Sequence, residues 1–407
     1  MKMTRMLAAA WLCRTSMAFV SRGLASKGDG VATTTTRIFS VSNGIEADVK
    51  SGISRIDLLQ TMLASHGAPG SVGCSSPNDL EPVCVTTADD AEDTPELVAN
   101  IMGTNEFANL HPHLYPLAKS KTTGNFICAL RRAFAEDASY ENSSKAPWPI
   151  VEAEMGGPGM KLLSLNSEYL MRRIACEVDF GNERNELVEL YNESLGKGAI
   201  QDEGLDRPYE EGSVEKLGYG VDKYVLLRVG PFPDIYSKLA LGHAERGDES
   251  SSLIAAEASN GKISGFASTF LFYASLLNSF PNRSEEVRDA ARMCLRMPLS
   301  SIGLNSKAFR DVGVFGQMAK ETDSDEEIFA KLQIMYEKMR DHENEDPRAG
   351  NSDMTPEQKA LDDANYLLDI TSLTGANWSG VRPKLAEIYK SIGREDMASF
   401  VNPTNTL

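Results

Sequence analysis

No stretch of the 407-residue chain reaches the roughly 18 consecutive apolar residues that a bilayer-spanning helix needs. The longest apolar run, FASTFLFYASLL at 266–277, is broken by Ser and Thr, so no membrane-spanning segment is expected and only peripheral association stays open. The residues that build most metal and redox sites are also scarce, with five histidines and six cysteines. Cys13, Cys74, Cys84, Cys128, Cys176 and Cys294 form no CxxC pair and no Cys/His spacing of the zinc type. They read as scattered free thiols, most simply small buried ones, and only Cys74 and Cys84 are close enough in sequence to suggest a disulfide.

The common catalytic motifs are missing as well. GGPGM at 156–160 lacks the lysine and hydroxyl of a phosphate-cradling loop, and NGKISG at 260–265 lacks its upstream glycine. There is no GxSxG elbow, no HExxH, and no GxGxxG following a strand. Familiar hydrolases and dinucleotide enzymes are thereby disfavoured, and neither a cofactor nor a metal is expected.

What is present is a marked asymmetry of charge. Residues 1–45 hold Lys2, Arg5, Arg14, Arg22, Lys27 and Arg37 against Asp29 alone, a balance of +5 that leaves −22 for the rest of a chain whose total is −17. Such an acidic body repels phosphate backbones, which argues against nucleic-acid binding. The basic, Ser/Thr/Ala-rich first 45 residues have the composition of a cleavable targeting leader and not of a fold. MKMTR, MLAAAWLC and RTSMA read as charged, apolar and cleavage regions ahead of Phe19, with a transit-like stretch after them. This two-part layout resembles the plastid leaders of algae with secondary plastids. In the alternative, RIFS at 37–40 resembles a mitochondrial processing site. The plastid reading is preferred, with the mitochondrion as alternative.

The body divides into a loop-rich entry segment (46–94), an α+β segment (95–230) and an all-helical domain (231–407). In the first, RIDLLQTMLASHG predicts a helix stopped by Gly67, and Thr94 before Pro95 predicts the start of another. In the second, PIVEAEM and MKLLSLN flank GGPG as a β-hairpin, DKYVLLRV between glycines predicts a third strand, and Ser167 can cap the helix SEYLMRRIACEV. Beyond Pro231 the spacings predict only helices. Phe266, Phe270, Tyr273, Leu277 and Phe280 recur at intervals of four, three, four and three, and SEEVRDAARMCLRM follows as the second arm of a helical hairpin. That second arm resembles, over about fifteen residues, one helix of a tetratricopeptide repeat, without a further copy. Ser324 with Glu327 and Thr355 with Gln358 form capping boxes, and Gly393 separates the last two helices. The expected fold is mainly α with a small α+β segment and helical hairpins, a bundle or irregular α-solenoid, in the C-terminal half.

Four residues stand out as candidate ligand-binding groups. In NLHPHLYPLA the prolines force an extended path that points His111 and His113 the same way, so that a metal or phosphate could sit between them, though packing among Leu, Tyr and Pro is the simpler role. Arg172 and Arg173 lie at ion-pair spacing from Glu168 and Glu177, and could otherwise grip an anion. His243 reads as a helix-end cap. Asp89, Asp90 and Asp93 resemble the Mg²⁺-diphosphate grip of isoprenoid enzymes, but without an apolar stripe they read as a solvated acidic loop. No catalytic residue emerges. The reading is an organelle-resident, soluble helical protein that offers surfaces to a protein partner as a scaffold or assembly factor. The alternative is an enzyme of unfamiliar family whose site lies between the α+β segment and the helices. A fusion of residues 1–45 to a fluorescent protein should accumulate in plastids; a mitochondrial or cytosolic signal under the microscope would refute the leader reading.

Overall fold

Five short strands, β1 (Leu80–Pro82), β2 (Leu114–Ser120), β3 (Phe126–Leu130), β4 (Ile150–Ala153) and β5 (Met160–Ser164), pair in chain order as one antiparallel meander. The computed structural model describes residues 49, 52–83, 107–133, 147–181, 185–195, 207–345 and 354–403. The leader, the Thr94 helix start, the acidic run around Asp89, Cys13 and Cys84 lie outside the described residues.

The hairpin expected around GGPG is β4 paired with β5, with Ile150 opposite Ser164 and Ala153 opposite Met160. Its turn needs its glycines for two reasons. Gly156 has φ of 69°, and any side chain on Gly159 would collide with the carbonyls of Ser300 and Gly303. The turn is thereby pressed directly onto the helical half.

The strands β1 to β3 do not follow from the pattern of residues, and their chemistry explains why. Proline ordinarily demotes a strand, yet Pro116 lies inside β2 at the point where its register with β3 shifts, a bulge that tolerates a missing N–H. Nor do these strands alternate apolar with polar, because both faces of the sheet are covered. Tyr115, Leu117, Ile127, Ala129, Ile150 and Leu163 share a core with α1 (Ile56–His66) and α2 (Ser167–Phe180). Phe126, Cys128, Val151, Ala153, Met160 and Leu162 form the other face with Phe107, Leu110, Ile263 and Phe266.

Helix α1 stops at Gly67 (φ 89°), as its sequence indicates. Helix α2 is capped one residue earlier than expected: the Asn166 side chain accepts from Tyr169 N at 2.7 Å, while the buried Ser167 hydroxyl accepts from Ser54 N at 3.1 Å. After α3 (Asn185–Glu193) and α4 (Ser213–Leu217) comes the clearest correction. DKYVLLRV is not a strand but most of α5 (Val221–Arg228). Its β-branched and aromatic residues suit a strand, but Val221, Tyr224 and Val225 fall at helical spacing and face inward, whereas Lys223, Leu227 and Arg228 face solvent.

From Pro233 onward the chain is helical throughout its described residues, as the spacing predicts. Helices α6 (Pro233–Glu245) and α7 (Glu249–Lys262) form one hairpin, and α8 (Ser268–Asn278) and α9 (Ser284–Met293) a second. Their shared core contains Ala240, Ala256, Tyr273, Ala274, Leu277, Val287 and Ala291. The aromatic stripe is divided between cores. Gly265 (φ 80°) delays α8, so Phe266 packs on the sheet and Phe270 on the next helices, while Tyr273, Leu277 and Phe280 stay in the hairpin. Two 3₁₀ turns, Cys294–Arg296 and Leu299–Ser301, then lead to α10 (Ser306–Phe315), α11 (Asp325–Glu345) and α12 (Pro356–Leu373). Both capping boxes form: Ser324 with Glu327 at 3.2 and 2.9 Å, and Thr355 with Gln358 at 3.2 and 2.9 Å, each worth about 1 kcal/mol. Helices α13 (Trp378–Ser391) and α14 (Glu395–Val401), separated by Gly393 (φ 73°), turn back, and Trp378, Leu385, Tyr389, Met397 and Phe400 join the core under the sheet.

The four described cysteines are free and buried. Burial pushes the Cys74 and Cys176 thiols up to about 12, so neither is a thiolate at neutral pH. Beside Cys74 the fully buried Glu152 of β4 accepts from Val72 N (2.7 Å), Gly73 N (2.9 Å) and Asn125 Nδ2 (2.8 Å), pinning the loop after α1 to the sheet. Replacing Glu152 with Ala strands three donors at once, which should lower stability by about 3 kcal/mol or more in urea unfolding, with Glu152→Gln costing less because its oxygen still accepts. Unchanged stability in the Ala variant would contradict this anchoring role.

Candidate functional site

The two histidines singled out by sequence lie inside the molecule, 5% and 6% exposed, where the chain enters β2. Their rings do come together, with centroids 5.6 Å apart, but each is already committed. His113 Nε2 is 2.8 Å from the Tyr389 hydroxyl on α13. His111 Nδ1 accepts from His113 N at 3.3 Å, so the ring proton resides on Nε2, a buried atom with no hydrogen-bond partner among the described residues. Its ring meets Trp378 edge-on at 4.5 Å. Among the described residues no group of three or more His, Cys, Asp or Glu could hold a metal ion.

Arg382, which the sequence did not bring to notice, crosses this region. Its guanidinium donates to the carbonyls of Ala108 (2.8 Å), Leu110 (2.6 Å), Phe107 (3.3 Å) and Val401 (2.8 Å), and it has no carboxylate partner among the described residues. Burial pulls its pKa down to about 10, which still leaves it charged at neutral pH. Burial first, and then the neighbouring Arg131 and Arg382, push His113 down to about 3; burial, His113 and Arg382 also push His111 down. Both imidazoles are therefore neutral. Arg131 completes the seam, donating to Asp396 Oδ2 at 2.7 Å and lying over Phe400 at 4.9 Å. This is a polar joint between the sheet and the last two helices.

Arg172 and Arg173 are likewise buried, not on a solvated face. Arg172 lies over the rings of Tyr209 (4.9 Å) and Tyr191 (5.5 Å) and donates to Arg207 O at 2.9 Å. Glu168, spaced to meet Arg172, pairs instead with Arg55. Arg173 does meet Glu177 (2.8 Å), and it also forms a two-pronged bond to Asp234 (2.8 and 2.6 Å) over the face of Phe232. Burial alone would lower the Arg173 pKa; the Asp234 and Glu177 carboxylates reverse this and hold it above its ordinary value.

Asp234 connects that buried pair to a concavity on the surface. An open groove of about 840 Å³ runs between β5, α5, α6 and the start of α8. Lys161 and Leu162 come from β5, Asp222 and Lys223 from α5, Asp234, Lys238, Leu241, His243, Glu245 and Arg246 from α6 and its cap, and Phe272 from α8. Arg173 holds the first turn of α6 in place through Asp234, Lys238 ties α6 to α5 through Asp222 at 2.6 Å, and the Ser252 hydroxyl ties α7 to the Ala240 carbonyl at 2.7 Å. His243 faces Asp248 at 3.3 Å across the α6–α7 turn. A groove of this size and lining suits an extended ligand segment held by apolar contact and charge. None of the four candidates lines it.

Two family descriptions match the helical half: the PAB middle domain over residues 233–319 and the PAB C-terminal domain over residues 332–404. The chain is also 31% identical over 265 residues to the Arabidopsis thaliana protein named Protein IN CHLOROPLAST ATPASE BIOGENESIS, chloroplastic, a match covering 62% of this chain and 72% of that protein. No solved structure matches at a significant level. The middle-domain match begins at the first residue of α6 and so takes in much of the groove wall.

The neutral histidines make stability pH-dependent. An unfolded histidine titrates near 6.5, whereas folded His113 titrates near 3. As pH falls below about 6.5 the unfolded chain binds protons that the folded chain refuses, so stability declines through the window from 6.5 towards 3. Between pH 7 and 5 the expected loss is about 2 kcal/mol per histidine. Urea unfolding at pH 7, 6 and 5 should show this slope, reduced by about one proton in His113→Gln. An identical slope in that variant would mean that His113 is not the titrating group.

Proposed function

The chain belongs to the family of the Arabidopsis thaliana Protein IN CHLOROPLAST ATPASE BIOGENESIS, and from that premise we propose that it is a plastid assembly factor. In this reading it holds a protein partner during construction of the plastid ATPase and does not catalyse a reaction. The observation that carries it is the 31% identity over 265 residues to that chloroplastic protein, alongside the PAB matches at 233–319 and 332–404. The basic leader and the chloroplastic relative agree on the compartment, and the two-part layout of residues 1–45 favours entry through a secondary-plastid route. No described helix is long and apolar enough to cross a membrane. The acidic body disfavours nucleic acid as the partner.

The groove lies where an enzyme site would be expected, between the α+β segment and the helices, but its chemistry supports holding more than reaction. A general acid or base needs a carboxylate or imidazole free to exchange a proton with substrate. Asp234 is fixed by two bonds from Arg173, Asp222 by Lys238, and His243 faces Asp248, which leaves Glu245 as a lone carboxylate at the groove with no second acid-base group set beside it among the described hydrogen bonds and ion pairs. Helical hairpins with an open trough fit the recognition of a partner segment.

Removing the protein from its source organism should lower the assembled plastid ATPase several-fold on native gels, with its unassembled subunits still synthesised. The tagged full chain should co-purify with such a subunit. Normal ATPase levels in the absence of the protein would overturn the assembly reading.

A further inference from the structure

The charges around the groove do not cancel. Of its three carboxylates, Asp222 is held by Lys238 at 2.6 Å and Asp234 is held from below by Arg173. Glu245 alone remains to oppose Lys161, Lys223 and Arg246, none of which has an ion-pair partner among the described residues. These three cations come from β5, α5 and the end of α6, so they ring the trough instead of converging on one point. A small anion would need convergent donors; an extended chain bearing several carboxylates would not.

The apolar lining points the same way. Phe272 lines the groove between these cations, and Leu241 is 48% exposed beside them, while Leu162 closes its floor as part of the buried core. On α5, Leu227 lies four residues beyond Lys223, on the same helical face, and is 65% exposed; Tyr219, just before the helix, is 63% exposed. Exposed leucine and tyrosine next to unpaired cations form the mixed surface that an amphipathic segment covers. A chain of net charge −17 repels acidic partners over most of its surface, so a cationic trough also selects where such a partner can approach.

We propose that this groove is the docking site for an acidic, amphipathic segment of a partner protein, with its carboxylates on Lys161, Lys223 and Arg246 and its apolar side chains on Leu241 and Phe272. This rests on the assembly-factor reading and adds where the partner binds and what chemistry it presents.

The test uses the tagged full chain in plastid extract, with a photo-crosslinking amino acid at Leu241. The wild-type chain should capture a partner whose crosslinked peptide is rich in Asp and Glu. The triple variant Lys161→Glu, Lys223→Glu, Arg246→Glu should lose that partner by about tenfold or more, and the corresponding Gln variant by less. A control reversal at the exposed Lys307, on α10, should leave capture unchanged. Circular dichroism of each variant checks that the helices are retained; if the Glu variant unfolds, the Gln variant decides. A partner retained by both triple variants overturns the docking site while leaving the assembly reading intact. A crosslink to a neutral or basic peptide, to lipid or to nucleic acid does the same. If the wild-type chain captures no partner at all, the assembly reading falls, and the docking proposal with it.

Discussion

Arg382 carries its charge into the interior without a counter-ion among the described residues, and the join between the sheet and the last two helices is built around that constraint. Burying an unpaired cation costs several kcal/mol, and guanidinium is the side chain best suited to it, because it is weakly hydrated and offers five donors in a plane. Those donors are used on four carbonyls, three from residues 107–110 and one from Val401 at the end of α14. Of these, the Phe107 carbonyl also accepts from Leu110 N at 3.0 Å, and the Val401 carbonyl lies at a helix end, where backbone acceptors need outside donors. Burial first, and then this charge, joined at His113 by that of Arg131, keeps both histidines neutral. Once His113 is neutral it can share a proton with Tyr389, and His111 can lie against Trp378. The site residues suggested by the sequence thus act in holding distant segments together.

A second buried cation performs the corresponding task at the other end of the sheet. Arg173 of α2 reaches Asp234 in the first turn of α6, so the helical half is attached to the α+β segment at both its beginning and its end. The two attachments differ in kind. Arg173 faces carboxylates that remain about a quarter exposed and hold its charge firmly. Among the described residues Arg382 meets carbonyls alone, which provide geometry without neutralisation. Between them the hairpins of α6 to α9 leave an open face, the groove, whose position follows from where the first attachment places α6.

The helical half was legible because its signals are local. A stripe at 266, 270, 273, 277 and 280, two capping boxes and a separating glycine each act within a few residues, and each appears in place, with the refinement that Gly265 splits the stripe among three cores. The sheet was half legible. The β4–β5 hairpin has a glycine turn to announce it, whereas β2 hides behind Pro116 and its bulge, and the double coverage of the sheet removes the alternation that marks a strand. DKYVLLRV misled because Val and Tyr at 221, 224 and 225 satisfy strand composition and helix spacing together. The Arg173–Glu177 pair was legible from its spacing, but the Tyr389 partner of His113 and the Asp234 partner of Arg173 were not, since they lie 276 and 61 residues away in sequence. The groove was invisible for a related reason: its cations come singly from β5, α5 and α6, and no local run of Lys or Arg exists to reveal them.

Charge distribution joins these observations to the family. A strongly acidic protein resists nonspecific association with other acidic surfaces. Specific capture then requires one place where the repulsion is relieved. Arg173 matters here although it never reaches the groove: by taking up Asp234 it withdraws a carboxylate that would otherwise neutralise Lys161 or Lys223. The buried ion pair that positions α6 is therefore also what leaves the groove cationic, and a change in one should be felt in the other.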